Sequence, residues 1–185
     1  LIPAALADDL KDFRIEGKDG LIVLGDRPVN AETPANLLDD RVTPTARHFI
    51  RNNGNPPDAV DPASWTLVVD GEVETPLELT IDDLKSRFEV VTQQLTLECA
   101  GNGRAMAETR PLSQPWLHEA VGTSAWTGTP LAPILRDAEP PEGTLEIVFE
   151  GEDRGVEGGS EAAYERSLPI DEALRDDILL AYEMN

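Results

Sequence analysis

Short apolar runs, separated by polar stretches that contain Pro or Gly, extend along the whole chain. Runs of this length between turn residues are typical of β-strands. The strands predicted on this pattern are Leu21–Leu24, Trp65–Val69, Val73–Leu79, Phe88–Leu97, Leu145–Phe149 and Ile178–Tyr182. Asp70-Gly71 predicts a tight turn that joins the second and third of these strands as a hairpin.

Start signals predict three short helices. Thr80 followed by Asp83 resembles a helix N-cap, and Pro130 is suited to the first position of a helix. The predicted helices cover residues 80–87, 129–137 and 171–175. Short strands and short helices, interleaved with long loops, favour an α+β fold with mixed β-sheets over a doubly wound parallel sheet.

Residues 31–63 form a long segment without periodicity, rich in Pro, Asn, Asp and Thr. Long irregular segments inside compact domains are often functional. The chain has 185 residues, which predicts one domain. Leu, Ile, Val and Phe make up about a quarter of it, which is enough for a core and argues against disorder.

The chain is strongly acidic, with 36 acidic and 15 basic residues and a formal net charge of −21. Such a charge excludes nucleic acid and anionic membranes as partners. The acids are spread along the sequence, which favours adaptation to a salt-rich cytoplasm over an acidic binding surface. No apolar run is long enough to span a membrane. The protein is expected to be halophilic and cytoplasmic, or exported if a signal preceded Leu1.

The single cysteine, Cys99, excludes an intrachain disulfide and a Cys-rich zinc site. It follows a predicted strand and opens a loop in which Gly101 and Gly103 let a bulky group approach the backbone. Arg104 can hold an anion and favours the thiolate, a good ligand for a soft metal. On the residues alone, a lone cysteine is more often a small buried apolar side chain.

Two other segments offer polar groups. The stretch from His48 contains Arg51, Asn52, Asn53 and Asn55, whose donors and acceptors suit a polar heterocycle or a phosphate. An ordinary Asn-, Gly- and Pro-containing turn is the alternative. Asp153, just after a predicted strand, could accept from an amino-heterocycle or be a solvated turn residue.

In order along the chain, these segments resemble the molybdopterin-binding domain of sulfite oxidases and assimilatory nitrate reductases. The most specific match is Cys99-Ala100-Gly101-Asn102-Gly103-Arg104, which resembles the family's cysteine motif. Residues 49–54 resemble its Phe-x-Arg-Asn-His loop, with Asn53 in place of the histidine. Further matches lie at residues 30–34, 43–44, 116, 126, 149–153, 164–169 and 179–185.

The resemblance implies a sulfite-oxidase-type fold that binds the molybdenum–molybdopterin cofactor. Cys99 would bind the metal, and Asp153 would hydrogen-bond the pterin. Arg51 and Arg104 would act with Cys99 in catalysis, by placing positive charge beside an oxyanion. The residues that would line the cofactor are Phe49, Ile50, Arg51, Asn52 and Asn53.

The implied reaction is oxygen-atom transfer, with sulfite or a similar small oxyanion as substrate and a cytochrome or other redox carrier as electron acceptor. Nitrate reduction, sulfoxide reduction and a cofactor-free remnant used in binding or assembly are the alternatives. The family's later segments do not occur before Asn185. Residues 1–185 are therefore expected to be a molybdopterin-binding domain truncated at its C-terminus, from a full-length protein that forms a homodimer.

Overall fold

A computed structural model of the chain describes residues 14–26, 28–54, 61–108, 115–157 and 160–185. The strands are β1 (Ile22–Asp26), β2 (Val29–Glu32), β3 (Ile50–Arg51), β4 (Thr66–Val69), β5 (Leu77–Thr80), β6 (Val91–Glu98), β7 (Val121–Pro130), β8 (Glu146–Glu157), β9 (Ser160–Pro169) and β10 (Leu179–Met184). The α-helices are α1 (Ile81–Arg87), α2 (Leu131–Ala138) and α3 (Ile170–Ala173). Single turns of 3₁₀ helix cover Ala35–Leu37, Thr45–Arg47 and Arg104–Met106.

The strands form small sheets with the orders β1-β2-β3, β4-β5, β8-β9 and β10-β7-β6. Pairing is antiparallel between β1 and β2, β2 and β3, β4 and β5, β8 and β9, and β7 and β10. Small sheets connected by short helices and long loops confirm the predicted α+β class. Within the described ranges, no helix is long and apolar enough to cross a membrane.

The chain divides into two compact units. The first contains Leu1–Pro56, Gln94–Ala125 and Asn185, and the second contains Pro57–Gln93 and Trp126–Met184. The first unit carries Cys99 and the loop that follows His48, whereas Asp153 belongs to the second.

The second unit has two apolar clusters. One is centred on the buried side chains of Leu79, Leu84 and Ile134, and the other on Leu131, Leu135 and Ala173. Ile134 lies between Leu131 and Leu135 on α2, so this short helix supplies buried side chains to both clusters.

Helix α1 begins where it is predicted, because its N-terminal signal is local. The hydroxyl oxygen of Thr80 accepts a hydrogen bond from the Asp83 backbone N–H at 3.0 Å. The Asp83 carboxylate accepts in return from the Thr80 backbone N–H at 3.0 Å, which completes a capping box. The Thr80 hydroxyl also donates to this carboxylate at 2.6 Å. That bond, together with the one from the Thr80 backbone N–H, lowers the pKa of Asp83.

Several predicted boundaries are wrong, and the structure explains two of them. Strand β5 begins at Leu77, not Val73, because the backbone N–H groups of Glu74 and Thr75 donate to the carbonyls of Glu139 and Ala138. Pro130 is the N-cap of α2 and the last residue of β7, not the first residue of a helix.

Other differences concern strands. Strand β8 continues past Phe149 to Glu157. Its pairing with β9 is irregular between Glu150 and Arg154, where the register shifts. Strands β7 and β9, which the apolar pattern does not predict, complete the sheets. Their sequences contain Gly, Ser, Thr and Ala at many positions, so the apolar alternation that marks a strand is weak.

Candidate functional site

Cys99 lies one residue beyond the end of β6, directly opposite Ala120. The hydroxyl oxygens of Thr92 and Thr127 lie 2.8 Å apart, and those of Thr96 and Thr123 lie 2.7 Å apart. These two pairs together show that β6 and β7 run antiparallel. In the same register, the Cys99 backbone N–H donates to the Ala120 carbonyl at 2.9 Å. The thiol is free and half-buried, so the sheet presents it at the point where the chain leaves β6.

The loop after Cys99 is compact. The Arg104 backbone N–H donates to the Gly101 carbonyl at 3.0 Å, and a turn of 3₁₀ helix follows. Gly103 adopts a φ of 82°, a left-handed conformation that glycine accepts without strain. A Cβ at Gly101 would overlap the Arg104 guanidinium. The absence of a side chain therefore lets Arg104 fold back over the loop that begins at Cys99.

The loop from Phe49 to Asn53 is held by the sheet β1-β2-β3, in which Arg51 pairs with Asn30 and Ile50 with Ala31. The Asn52 backbone N–H donates to the buried Asn30 carboxamide at 2.9 Å. The guanidinium of Arg51 is exposed and donates to the Asn52 carbonyl and to Asn53 at 3.2 Å. The end of the predicted loop, residues 55–57, lies outside the described residues.

Cys99 and Phe49 pack against the same small apolar cluster, formed by Leu24, Trp116 and Ala120. The ring of Phe49 meets Trp116 edge-on, with centroids 6.5 Å apart. Trp116 is fully buried. Its indole N–H has no hydrogen-bond partner among the residues that the structure describes, which is unusual for a buried donor.

Around this cluster, polar side chains and backbone groups connect segments of the first unit, among them the buried Glu32. The Glu32 carboxylate accepts from the Leu117 backbone N–H at 3.2 Å. The Glu119 carboxylate accepts from the Ala35 backbone N–H at 2.8 Å, and the Glu119 carbonyl accepts from the Thr33 N–H at 3.1 Å. These bonds fix the segment before β7 against the end of β2.

A second polar connection involves the last residue of the chain. The Asn185 side chain donates to the Thr43 carbonyl at 3.0 Å and accepts from the Ala125 N–H at 3.0 Å. The Thr43 N–H in turn donates to the Thr123 carbonyl at 2.7 Å. Residues far apart in sequence therefore meet at β7.

Glu32 and His48 are buried titratable residues of the first unit. Burial raises the pKa of Glu32, and the hydrogen bond from Leu117 opposes that shift. Burial, assisted by the positive charge of Lys18, lowers the pKa of His48. The His48 ring stacks on Phe49 with centroids 5.0 Å apart, so His48 packs against the first residue of the loop.

Asp153 lies at the irregularity of β8, in the second unit. The side chain is half-buried. A Cβ at Gly151 would overlap its carboxylate, so glycine at that position lets the acid fold over the strand. Arg154 donates to the Gly151 carbonyl at 3.0 Å and lies 3.8 Å from the Glu150 carboxylate.

The structure thus brings Cys99 and Phe49 together and places Arg104 in the same loop as Cys99. The polar residues Arg51, Asn52 and Asn53 continue directly from Phe49. The sequence alone assigns no role to the side chains that hold these loops, which are the buried Asn30, Glu32 and Trp116 and the half-buried Asn102. These positions fall within the motif matches at residues 30–34, 99–104 and 116, which were the available signal.

These residues fit the cofactor that the sequence motifs imply. A free thiol lies next to a loop of small residues, which suits a bulky group with a soft metal. The buried Trp116 N–H is a donor whose partner could be a bound acceptor. The amides of the half-buried Asn52 and the exposed Asn53 follow Phe49 in sequence and suit a polar heterocycle. Among the described residues, no three His, Cys, Asp or Glu side chains form a metal-binding cluster.

Comparison with known proteins identifies the family. The sequence profile described as the oxidoreductase molybdopterin binding domain matches residues 53–185. The chain therefore belongs to this molybdopterin-binding family, which sulfite oxidases and nitrate reductases share, and the resemblance seen in the motifs is confirmed.

Individual relatives agree with this assignment. The chain is 42% identical over 174 residues to sulfite oxidase of Gallus gallus, covering 90% of this chain and 37% of that protein. It is 33% identical over 189 residues to the NADPH nitrate reductase of Beauveria bassiana, covering 97% of this chain and 21% of the relative. The chain thus spans well under half the length of these two relatives.

A solved structure supports the fold. The sulfane dehydrogenase SoxCD from Paracoccus pantotrophus matches with a TM-score of 0.68 and 22% sequence identity. The match covers 100% of this chain and 44% of that one. The predicted sulfite-oxidase-type fold is therefore confirmed.

Proposed function

We propose that the chain is the cofactor-binding part of a molybdenum-dependent oxidoreductase that transfers an oxygen atom to sulfite or a similar small oxyanion. The observation that carries the proposal is the position of Cys99. Its free thiol lies where the chain leaves β6, beside a loop of small residues, and shares the Trp116 cluster with Phe49. A thiolate at such a position suits a soft metal that reaches the protein within a bulky organic group.

The remaining predicted residues would hold and orient the cofactor. Phe49 and Ile50 would offer apolar surface, whereas the amides of Asn52 and Asn53 would hydrogen-bond the pterin or its metal. Asp153 would accept a hydrogen bond from the pterin. When bound, the cofactor supplies the oxygen transfer and the accompanying two-electron change, so the protein contributes positioning and electrostatics.

Electrostatics support an anionic substrate. A chain with a formal charge of −21 repels anions, so an oxyanion needs local positive charge. Arg51 follows Phe49 directly, and Arg104 lies in the loop of Cys99. We therefore assign both arginines to substrate binding, next to the metal thiolate.

Sulfite is favoured over nitrate because the identity to the Gallus gallus sulfite oxidase, 42%, exceeds that to the Beauveria bassiana nitrate reductase, 33%. Nitrate reduction is the second candidate, since several nitrate reductases match almost the whole chain. Asn53, where the family usually has histidine, also leaves room for a different substrate. A cofactor-free remnant is the third, and the intact Cys99 loop argues against it.

The wider setting follows from the same assignment. Residues 1–185 would act as one molybdopterin-binding domain, because the family match runs through residues of both units. The full-length protein would pass electrons to a cytochrome or similar carrier and form a homodimer. The acidic composition supports a halophilic, cytoplasmic protein.

Metal analysis of the full-length protein tests the proposal. We expect about one molybdenum atom per chain, sulfite turnover, and loss of that turnover in Cys99→Ser, because serine offers a hard and poorly ionised ligand. Ser64→Ala, which changes an exposed hydroxyl elsewhere, should behave as wild type. Protein without molybdenum, or Cys99→Ser with undiminished turnover, would refute the assignment; turnover of nitrate but not sulfite would favour the second candidate.

A further inference from the structure

We propose that Asn102 is the positioning residue that orients the Cys99 sulfur. The inference rests on the proposed function only in calling that sulfur the metal ligand. Asn102 is half-buried in the loop that follows β6. Its backbone N–H hydrogen-bonds to Cys99 itself. The two ends of its carboxamide hydrogen-bond to Glu98, which precedes Cys99, and to Ala120, which lies opposite.

The local pairing departs from a regular antiparallel ladder. In a hydrogen-bonded antiparallel pair, two opposite residues exchange both of their N–H···O=C bonds. Cys99 and Ala120 make only one of these, from the Cys99 N–H to the Ala120 carbonyl at 2.9 Å. Asn102 takes both remaining groups. Its backbone N–H donates to the Cys99 carbonyl at 2.8 Å, and its side-chain oxygen accepts from the Ala120 N–H at 3.2 Å.

The side chain of Asn102 therefore replaces the Cys99 carbonyl as the acceptor for Ala120. Local side-chain bonds of this kind compete with the backbone ladder and redirect the chain. Because Asn102 provides this acceptor, the chain can turn away immediately after Cys99. The Cys99 backbone stays bonded to Ala120, which is fully buried. The sulfur thus belongs to a residue whose backbone N–H and carbonyl are both hydrogen-bonded.

The other end of the carboxamide secures the preceding residue. The Asn102 amide N–H₂ donates to the Glu98 carboxylate at 2.9 Å. Glu98 is the last residue of β6, so Asn102 spans Cys99 from one side to the other. An amide fits this position because it supplies an acceptor to Ala120 and a donor to Glu98 at once.

Exchanging the donor and the acceptor tests this arrangement without changing net charge. In Asn102→Asp, the carboxylate still accepts from the Ala120 N–H but repels Glu98. Adding Glu98→Gln supplies a new amide donor to that carboxylate. The double variant therefore restores both bonds, with the donor now at position 98 and the acceptor at position 102. Asn102→Ala removes both side-chain bonds. The control is Asn36→Asp, which makes the same chemical change as Asn102→Asp at an exposed asparagine of the first unit.

The first measurement needs no cofactor. In cofactor-free full-length protein, we expect iodoacetamide to alkylate Cys99 about five- to thirty-fold faster in Asn102→Ala and Asn102→Asp than in wild type, because the lost hydrogen bonds loosen the loop. The double variant and Asn36→Asp should stay within about threefold of wild type on the same grounds. Unfolding midpoints are measured in parallel.

The second measurement uses the molybdenum-loaded protein with sulfite. The kcat of Asn102→Ala should fall about 10- to 100-fold, as for residues that orient metal ligands, whereas KM should change little because Asn102 does not bind substrate. The double variant should recover most of the lost kcat.

Three results would overturn the inference. They are alkylation of Asn102→Ala at the wild-type rate, a double variant whose alkylation rate and kcat are no closer to wild type than those of Asn102→Asp, or alkylation rates that only follow the unfolding midpoints. In a further case, the variants follow the predicted order of alkylation rates while the purified wild-type protein contains no molybdenum. That pair of results would support the inference and refute the proposed function.

Discussion

Replacing Asn30 by alanine should destabilise the protein and release the loop that begins at Phe49. Asn30 is fully buried. Its amide N–H₂ donates to the Pro28 carbonyl at 2.9 Å, and its side-chain oxygen accepts from the Asn52 backbone N–H at 2.9 Å. Alanine removes both bonds and provides no acceptor for Asn52.

The expected size of the effect follows from these two contacts. Each lost hydrogen bond contributes about 1 kcal/mol net, and an unsatisfied buried donor costs about 1–3 kcal/mol. Because both contacts are only partly buried, water can hydrogen-bond some of the released groups. The free energy of unfolding should therefore fall by about 2–4 kcal/mol.

Urea unfolding of the full-length protein at one fixed molar salt concentration measures this difference. Asn36→Ala is the matched control, because Asn36 is exposed in the first 3₁₀ turn and exposed substitutions usually change stability by less than about 0.5 kcal/mol. If Asn30→Ala and Asn36→Ala unfold with free energies that agree within about 0.5 kcal/mol, Asn30 does not hold the loop and the reasoning is wrong.

Three further outcomes are expected. Arg51→Gln and Arg104→Gln should each raise KM for sulfite more than they lower kcat, reducing kcat/KM about 10- to 100-fold because a charge-assisted contact is lost; unchanged kcat/KM in both variants would exclude an oxyanion site. Because burial raises the pKa of Glu32, the folded state binds its proton more tightly than the unfolded state, and stability falls as pH rises from the usual carboxyl range through the raised pKa. Glu32→Gln should therefore gain stability over wild type across that window in urea unfolding at a series of pH values, and a difference independent of pH would contradict this. Molar salt should raise the unfolding midpoint, because the screening length falls to about 3 Å at 1 M in a chain of charge −21; a midpoint that is level from low to molar salt would contradict it.

The parts of the fold that the sequence predicts correctly are those with local signals. The capping residues Thr80 and Asp83 determine where α1 begins, and both lie within one turn of the helix. Apolar runs likewise locate β1, β4 and β10. Strand β7 has no such signal, because Gly, Ser and Thr occupy many of its positions. Its place in the sheet depends on pairing with β6 and β10, which lie elsewhere in the sequence.

The candidate site divides in the same way. The Cys99 loop is recognisable from its own residues, since a thiol, two glycines and an arginine occur together. That Phe49 and Cys99 share the Trp116 cluster could not be predicted, because it depends on how separate segments pack. The roles of Asn30 and Asn102 depend on single hydrogen bonds between such segments. The assignment of each site residue to the cofactor or substrate remains a prediction.

The bond between Asn185 and Thr43 has a consequence for the order in which the protein is synthesised. These residues are 142 positions apart, and a ribosome adding about 5–20 residues per second needs about 7–30 s to make that interval. During that time the first unit lacks the residue that joins Thr43 to Ala125. The β8–β9 hairpin, whose strands are neighbours in sequence, can pair as soon as it emerges. The Thr43 carbonyl and the Ala125 N–H, both in the unit that contains Cys99, therefore lack this partner until translation reaches Asn185.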